Sequence, residues 1–329
     1  MRKYRKWLGW GAVLAIILLL LWFFYYGIDD LNQKEAPEKY SVILYQYTEN
    51  SWASLQEGVE QAATDHGVTV NYVTMAIDAG IEDQEALIDR EIENGAQGLL
   101  VAAVDSQGLE EKLADTDRKV PVVTVETGVG DEITHIGADD YKMGYKLGKK
   151  ILEDYQGEGR VAAAVIKEYM ERRSVQERYR GVMDALKEGG PGVKVVEWNR
   201  GEGDYNLALY LKTECSAWAG EPVIALDKYT MEELLEGCQI LKSEFPEGKI
   251  EMPLLYGIGN TDVIVNGLDQ GQVQALVYQN EFNAGYQGME ALIQKKKKKV
   301  IKSRGIKYQL VTRDTLYETE NQRLLFPII

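Results

Sequence analysis

The sequence predicts an α/β protein of two similar lobes, each built on a parallel sheet, behind one N-terminal transmembrane helix. Three observations carry this expectation. Residues 7–28 form an uncharged run of 22 residues behind Arg2, Lys3, Arg5 and Lys6. From Tyr40 onward, short β-branched or apolar runs alternate with amphipathic stretches of helical length, the pattern of parallel strands covered on both faces. These runs are too many for one compact sheet, so two α/β domains are the economical arrangement for about 290 residues.

The membrane span comes first. A bilayer core takes about 20 apolar residues in a helix, and 7–28 contains IILLLL at 16–21. The four basic residues ahead of it are expected to stay cytoplasmic, which puts everything after Ile28 outside the cell. Trp7 and Trp10 at one end, and Trp22, Tyr25 and Tyr26 at the other, suit the two membrane interfaces. A cleaved signal peptide would have an apolar core of about 7–15 residues and a small-residue cleavage site. The exit here is WFFYY at 22–26, with no cysteine nearby for a lipid anchor, so an uncleaved single-pass anchor in the cell membrane is expected. Residues 29–38, polar and containing Pro37, read as a linker.

Strand 40–46 opens the ectodomain. Trp52, Leu55, Val59 and Ala62 share one face of the first helix. Strand 68–73, a helix over 83–94 closed by Gly95, strand 98–103, a helix from Ser106 and strand 120–125 follow. The series continues with strand 160–166, helix 174–188, strand 194–198, helix 205–218, strand 222–226, helix 231–241, and strands 252–258 and 272–279. Gly95, Gly189-Gly190 with Pro191, and Gly220 each follow a helical stretch, where C-terminal caps belong.

Setting aside the four basic residues before Trp7 leaves 33 basic against 52 acidic residues, a net −19. So acidic a surface repels nucleic acid and anionic lipid and suits a soluble domain held off the membrane. The two cysteines, Cys215 and Cys238, lie on predicted helices flanking one strand; outside the cell they are either a disulfide or two buried thiols. His66 precedes a strand and His135 sits within one, and both read as structural. With no Cys/His cluster a zinc site is not expected, and no other cofactor is. There is no Gly-x-Ser-x-Gly elbow and no phosphate loop; GIG at 257–259 is only a fragment of a dinucleotide loop, so the chain does not read as an enzyme. In open parallel sheets ligands bind beyond the carboxyl ends of strands. Here those positions, among them 47–51, 126–127, 167–173, 227–229 and 279–281, are unusually polar and aromatic.

Several segments in order resemble the type I periplasmic binding proteins of the ribose/galactose-binding family. They are SLQEGV at 54–59, GAQGLLVA at 95–102 followed by Asp105-Ser106, VPVVTV at 120–125, HIGADD at 135–140 followed by Gly144, ERYRG at 177–181, and GQVQA at 271–275 running into YQN at 278–280. The resemblance covers about residues 40–315 and implies two Rossmann-like lobes joined by three crossover strands, closing on a ligand between them. It places lobe one at 39–138 plus 280–308, lobe two at 139–279 plus 309–329, and hinges near Asp139, Asn260 and Gln279. It implies a non-enzymatic solute-binding protein whose small-molecule ligand is a sugar. The partner is an ABC permease or, alternatively, a membrane sensor kinase or chemoreceptor.

Sugar sites combine flat rings against C–H faces with planar groups that fix hydroxyl pairs. By resemblance Trp52 supplies the ring, and Glu49, Glu126, Asp227 and Gln279 the hydroxyl-binding groups. Trp52 equally fits the start of its helix's core face, and the four polar residues equally fit solvated strand ends. Asp105 reads as a helix N-cap. Thr127, Gln176, Ile258 and Gly259 depart from the pentose binders, which have Arg at the first two places and an aromatic residue followed by Asp at the last two. Arg173, or Arg172 beside it, is then the candidate guanidinium. The basic run at 295–299 reads as the solvated end of the last helix.

Overall fold

The computed structural model describes residues 15–22, 37–46, 51–76, 79–115, 120–155, 161–200, 206–245 and 250–325. By contacts the chain divides into two units, 1–38 and 39–329. In the first, residues 15–22 are helical and exposed. Among the described residues no helix is long and apolar enough to cross a membrane. The rest of the predicted span, 7–14 and 23–28, lies outside the described residues.

The second unit holds two six-stranded sheets. The first has the order β11-β5-β4-β3-β1-β2, made from β1 (Lys39–Gln46), β2 (Thr69–Ala76), β3 (Leu99–Val101), β4 (Val122–Val125), β5 (Thr134–Gly137) and β11 (Arg304–Gly305). The second has the order β12-β10-β9-β8-β6-β7, made from β6 (Val161–Ile166), β7 (Val193–Trp198), β8 (Pro222–Ala225), β9 (Leu254–Ile258), β10 (Val273–Gln279) and β12 (Tyr308–Thr312). Among the described residues all pairings are parallel except β10 with β12.

The apolar runs become strands because both faces of each sheet are covered. β3, β4 and β8 are buried along their whole length, as parallel strands between helices must be. The period of two divides each strand between two cores. Tyr40, Val42 and Leu44 of β1 face one core of the first sheet and Ile43 the other. Ala164 and Ile166 of β6 face one core of the second sheet, with Val161, Ala163 and Val165 facing the other.

The chain passes between the sheets three times: at Ala138-Asp139, at Asn280, and at Ile306-Lys307. The predicted hinge positions Asp139 and Gln279 flank the first two passages. Asn260 does not lie on one: it joins β9 to the helix Asp262–Asp269, both on the second sheet's side. The third passage falls instead between β11, only two residues long, and β12.

Two glycines of the resembling motifs have a packing reason. A Cβ on Gly181 would stand 2.1 Å from the Tyr141 carbonyl oxygen, and one on Gly144 2.0 Å from that of Arg178. The helices Asp140–Asp154 and Arg173–Lys187 therefore touch backbone to backbone. That contact sets Arg178 against Asp140 at the mouth of the first passage.

Candidate functional site

The carboxyl ends of the two sheets face each other, and the strand-end residues meet between them. From the first lobe come Tyr45 at the end of β1, Ser51 and Trp52 before the helix Ala53–His66, Glu126 and Thr127 after β4, and Glu281. From the second come Tyr169, Arg172 and Arg173 after β6, Asp227, Lys228 and Tyr229 after β8, and Gln279 closing β10.

Aromatic rings line one side. Tyr45 and Trp52 meet edge to face at 5.2 Å between centroids, Tyr45 and Tyr229 lie 5.9 Å apart, and Tyr169 and Tyr229 6.4 Å. The Trp52 indole N–H donates to the Tyr45 carbonyl, and Trp52 is 1 % exposed. It thus serves the first core and the cleft wall together. The Arg172 guanidinium lies between two of these rings, 3.9 Å from the Tyr45 centroid and 4.4 Å from that of Tyr169. The Lys228 ammonium stands 3.8 Å from the Trp52 centroid, 3.1 Å from Glu281 Oε1, and donates to the Ser51 carbonyl. Lys228 thus reaches from the second lobe to the first. A Cβ on Gly259 would stand 2.8 Å from Lys228 Cβ, and Gly259 has φ 141°, so only glycine lets the Lys228 stem pass.

On the other side Arg178, 2 % exposed, ties the lobes at the first passage. It donates from Nη2 to Glu126 at 2.9 Å, from Nε to Asp140 at 2.7 Å and from Nη1 to the Leu226 carbonyl at 3.2 Å. Glu126 accepts a second bond, from Gln279 Nε2 at 2.7 Å, while Gln279 Oε1 accepts from Ala138 N at 2.9 Å. Gln279 therefore links two of the passages. One guanidinium faces two buried carboxylates, and their environments separate them. Burial pushes Glu126 up, but Arg178, Lys228 and Arg172 together outweigh it and hold it below its ordinary value. Asp140 has burial raising it, Arg178 alone lowering it and Glu126 beside it, and is pushed up to about 7. Burial likewise raises Glu281, against the pull of Lys228.

Among the described residues, the space in this cleft lined by Glu126, Arg178, Lys228, Asn260, Gln279 and Glu281 among others is about 20 Å³. That is room for about one water. The lobes are closed on each other, with the Arg172 and Lys228 side chains between them.

The predicted site residues divide. Trp52, Glu126 and Gln279 come together in the cleft. Asp227 stands beside it but is spent on its helix: Oδ1 accepts from Tyr229 N at 3.0 Å and Thr230 N at 3.1 Å, and Oδ2 from the Thr230 hydroxyl at 2.6 Å. Arg173 lies at the rim, 46 % exposed and 3.6 Å from Asp131, because its backbone N–H is fixed by Ser106 Oγ at 2.9 Å. Its neighbour Arg172 enters the cleft instead. Thr127 accepts from Ser174 N at 3.0 Å, capping the helix of the opposite lobe. Asp105 accepts from Gln107 and Gly108 amides and is an N-cap. Glu49 lies outside the described residues. His135 is structural: burial lowers it to about 4, and its Nδ1 meets Thr124 Oγ1 at 3.1 Å. Cys215 and Cys238 are free, buried thiols with sulfurs 3.8 Å apart. Lys228, Tyr229 and Glu281 lie in the strand-end stretches 227–229 and 279–281 that the sequence pointed to, but neither they nor Tyr45 were named there as individual candidates.

Residues 40–299 match the family model described as the periplasmic binding protein domain. The chain belongs to that family. No curated protein sequence matches it. Solved structures of the same fold include a carbohydrate transporter solute binding protein from Agrobacterium radiobacter in complex with D-arabinose, with TM-score 0.76 and 17 % identity over 89 % of this chain and 100 % of that one. A solute binding protein of an ABC transporter from Agrobacterium vitis with bound D-fucose has TM-score 0.76 and 17 % identity over 88 % of this chain and 100 % of that one. A glucose-galactose binding protein from Geobacillus stearothermophilus has TM-score 0.70 and 17 % identity over 85 % and 99 %. At such identity the likeness establishes the periplasmic binding protein fold and leaves the ligand to the cleft's own chemistry.

Proposed function

We propose that this periplasmic binding protein is an extracytoplasmic sugar receptor, anchored by residues 7–28, that captures a monosaccharide in the interlobe cleft and hands it to an ABC importer. The observation that carries the reading is the cleft's composition. Rings from Tyr45, Trp52, Tyr169 and Tyr229 stand beside planar polar groups from Glu126, Arg172 and Gln279, all at strand ends of the two facing sheets. A carboxylate accepts about four hydrogen bonds; Glu126 accepts two from Arg178 and Gln279, leaving capacity for a pair of sugar hydroxyls. The sugars bound to relatives of the same fold support the same reading.

Lobes 39–138 plus 280–308 and 139–279 plus 309–329 move about the passages beside Asp139 and Gln279. As they part, Lys228 withdraws from the Trp52 face and a sugar ring takes its place. The lobes then close, and the dry cleft makes each hydroxyl bond count.

A thermal-shift screen of residues 37–329 against monosaccharides, polyols, amino acids and nucleosides tests this. A ligand at 100 times its Kd adds about 2.7 kcal/mol, so one sugar class is expected to raise Tm by several degrees. A shift confined to amino acids or nucleosides would overturn the sugar assignment. Genes for a permease and an ATPase beside this one would support import.

A further inference from the structure

We propose that the basic edge of the first lobe is a docking surface for anionic lipid headgroups. Residues 294–302 read QKKKKKVIK, six lysines and no acid, in a chain of net charge −15. The overall charge argues against lipid contact only if it is evenly spread, and this run is a local basic stretch in an otherwise acidic chain.

The fold carries this run to one edge. The helix Glu281–Lys296 starts at the second passage and runs back along the first sheet. It ends beside the first residues of the strands: Lys295 Nζ donates to Thr134 Oγ1 at 2.9 Å, and that hydroxyl donates to the Ile301 carbonyl at 3.0 Å. Lys296 to Lys299 and Lys302 are exposed. Val300, in their midst, is 93 % exposed. Lys298, two residues past the end of the helix, has φ 59°, a left-handed position that favours glycine or asparagine. Ammonium groups around an exposed apolar side chain fit a membrane interface, where the charges meet headgroups and the valine meets the acyl boundary.

The first residue of the unit lies at the same edge. Lys39 opens β1, and its carbonyl accepts from Gln97 N at 2.8 Å, beside the start of β3. In the order β5-β4-β3-β1 it is three strands from Thr134, about 14 Å at the usual interstrand spacing. Ten residues, 29–38, precede it after the run at 7–28, a reach of at most about 35 Å. The inference rests on the anchor reading for one thing, that a membrane lies within that reach. At physiological salt charges are screened beyond about 8 Å, so acidic groups farther than that in either lobe do not cancel attraction at the lysines.

Residues 37–329 hold both sheets and all four cores and serve as the test protein. At low ionic strength, vesicles containing phosphatidylglycerol are expected to sediment it, and pure phosphatidylcholine vesicles are not. The combined change Lys297→Gln, Lys298→Asn, Lys299→Gln and Lys302→Gln is expected to lower binding about fivefold per lysine, which is about 1 kcal/mol each, with sugar-induced thermal shifts unchanged. Absence of binding to the anionic vesicles, equal binding to both vesicle types, or undiminished binding by the variant overturns the proposal. So does capture by soluble polyglutamate without vesicle binding, which would assign the edge to an acidic polymer. The fragment lacks residues 7–28, so alkaline extraction of the full chain from membranes tests the anchor reading separately.

Discussion

Replacing Arg178 with Met is expected to weaken the fold in a pH-dependent way. Methionine keeps a long apolar stem and removes the guanidinium that donates to Glu126, Asp140 and the Leu226 carbonyl. Breaking a buried ion pair by removing one partner costs about 3–5 kcal/mol, because the other charge stays buried. Two carboxylates are stranded here, although Lys228 and Arg172 still act on Glu126. At about 2–4 °C per kcal/mol for a chain of this size, Tm should fall by roughly 6–20 °C. The loss should be largest above the Asp140 value of about 7 and smaller in mild acid, where Asp140 carries a proton and relies less on Arg178. Urea unfolding of residues 37–329 at several pH values measures this. A loss under about 1 kcal/mol, or one that does not vary with pH, would refute the view that Arg178 neutralises a buried carboxylate pair at the passage.

The Asp140→Asn variant isolates the carboxyl. Its folded value is raised to about 7 from 3.8, so its contribution is full below about 3.8 and is lost as pH rises through about 7. Wild type should therefore lose stability relative to Asp140→Asn across that window and run parallel to it above. Parallel curves throughout would show that Asp140 titrates normally. Gly181→Ala should cost about 1–3 kcal/mol in chemical unfolding, because its methyl would stand 2.1 Å from the Tyr141 carbonyl oxygen and must push two helices apart. An unchanged midpoint would contradict that contact. Cys215 and Cys238 should be silent to a thiol reagent in the native fold, since the contact with Cys238 and burial both push the Cys215 thiol up. Both should titrate in guanidinium without reductant, whereas a count of zero there would mean a disulfide.

The fold was legible wherever pattern and burial coincide. β3 and β4 read as strands because LLV and VVTV are apolar or β-branched runs, preceded by glycine or proline and covered on both faces. The third passage was not legible. β11 is the two residues Arg304-Gly305 and carries no periodicity; its place is set by pairing with Ile136 and Gly137 of β5. The resemblance placed a hinge near Asn260, but the chain there turns back into a helix on the same side.

In the cleft, Glu126 and Gln279 were legible as polar residues at strand ends. Glu126 also has φ 64°, a strained turn of the kind that collects at functional sites. Asp227 has the same strand-end signature, yet both its oxygens serve its helix. Arg173 and Arg172 are adjacent and chemically identical; which enters the cleft is decided by the Ser106 contact from the other lobe. Lys228 is the first residue of the helix Lys228–Glu244 and by local pattern belongs in solvent. It is buried only because Ser51, Trp52 and Glu281 of the opposite lobe close over it. Sequence patterns report which residues stand at strand ends. They carry no record of what the other lobe brings to them.

The central claim is that the cleft between the two sheets binds a sugar. Calorimetric titration of residues 37–329 with the best monosaccharide from the screen tests it most directly, run beside Trp52→Ala and Glu126→Gln variants whose folding is checked by circular dichroism. The account predicts a saturable one-to-one heat for wild type and at least a tenfold weaker Kd in each folded variant, a loss of about 1.4 kcal/mol or more. Saturable binding of equal strength in wild type and both folded variants would place the sugar site outside this cleft and contradict the account.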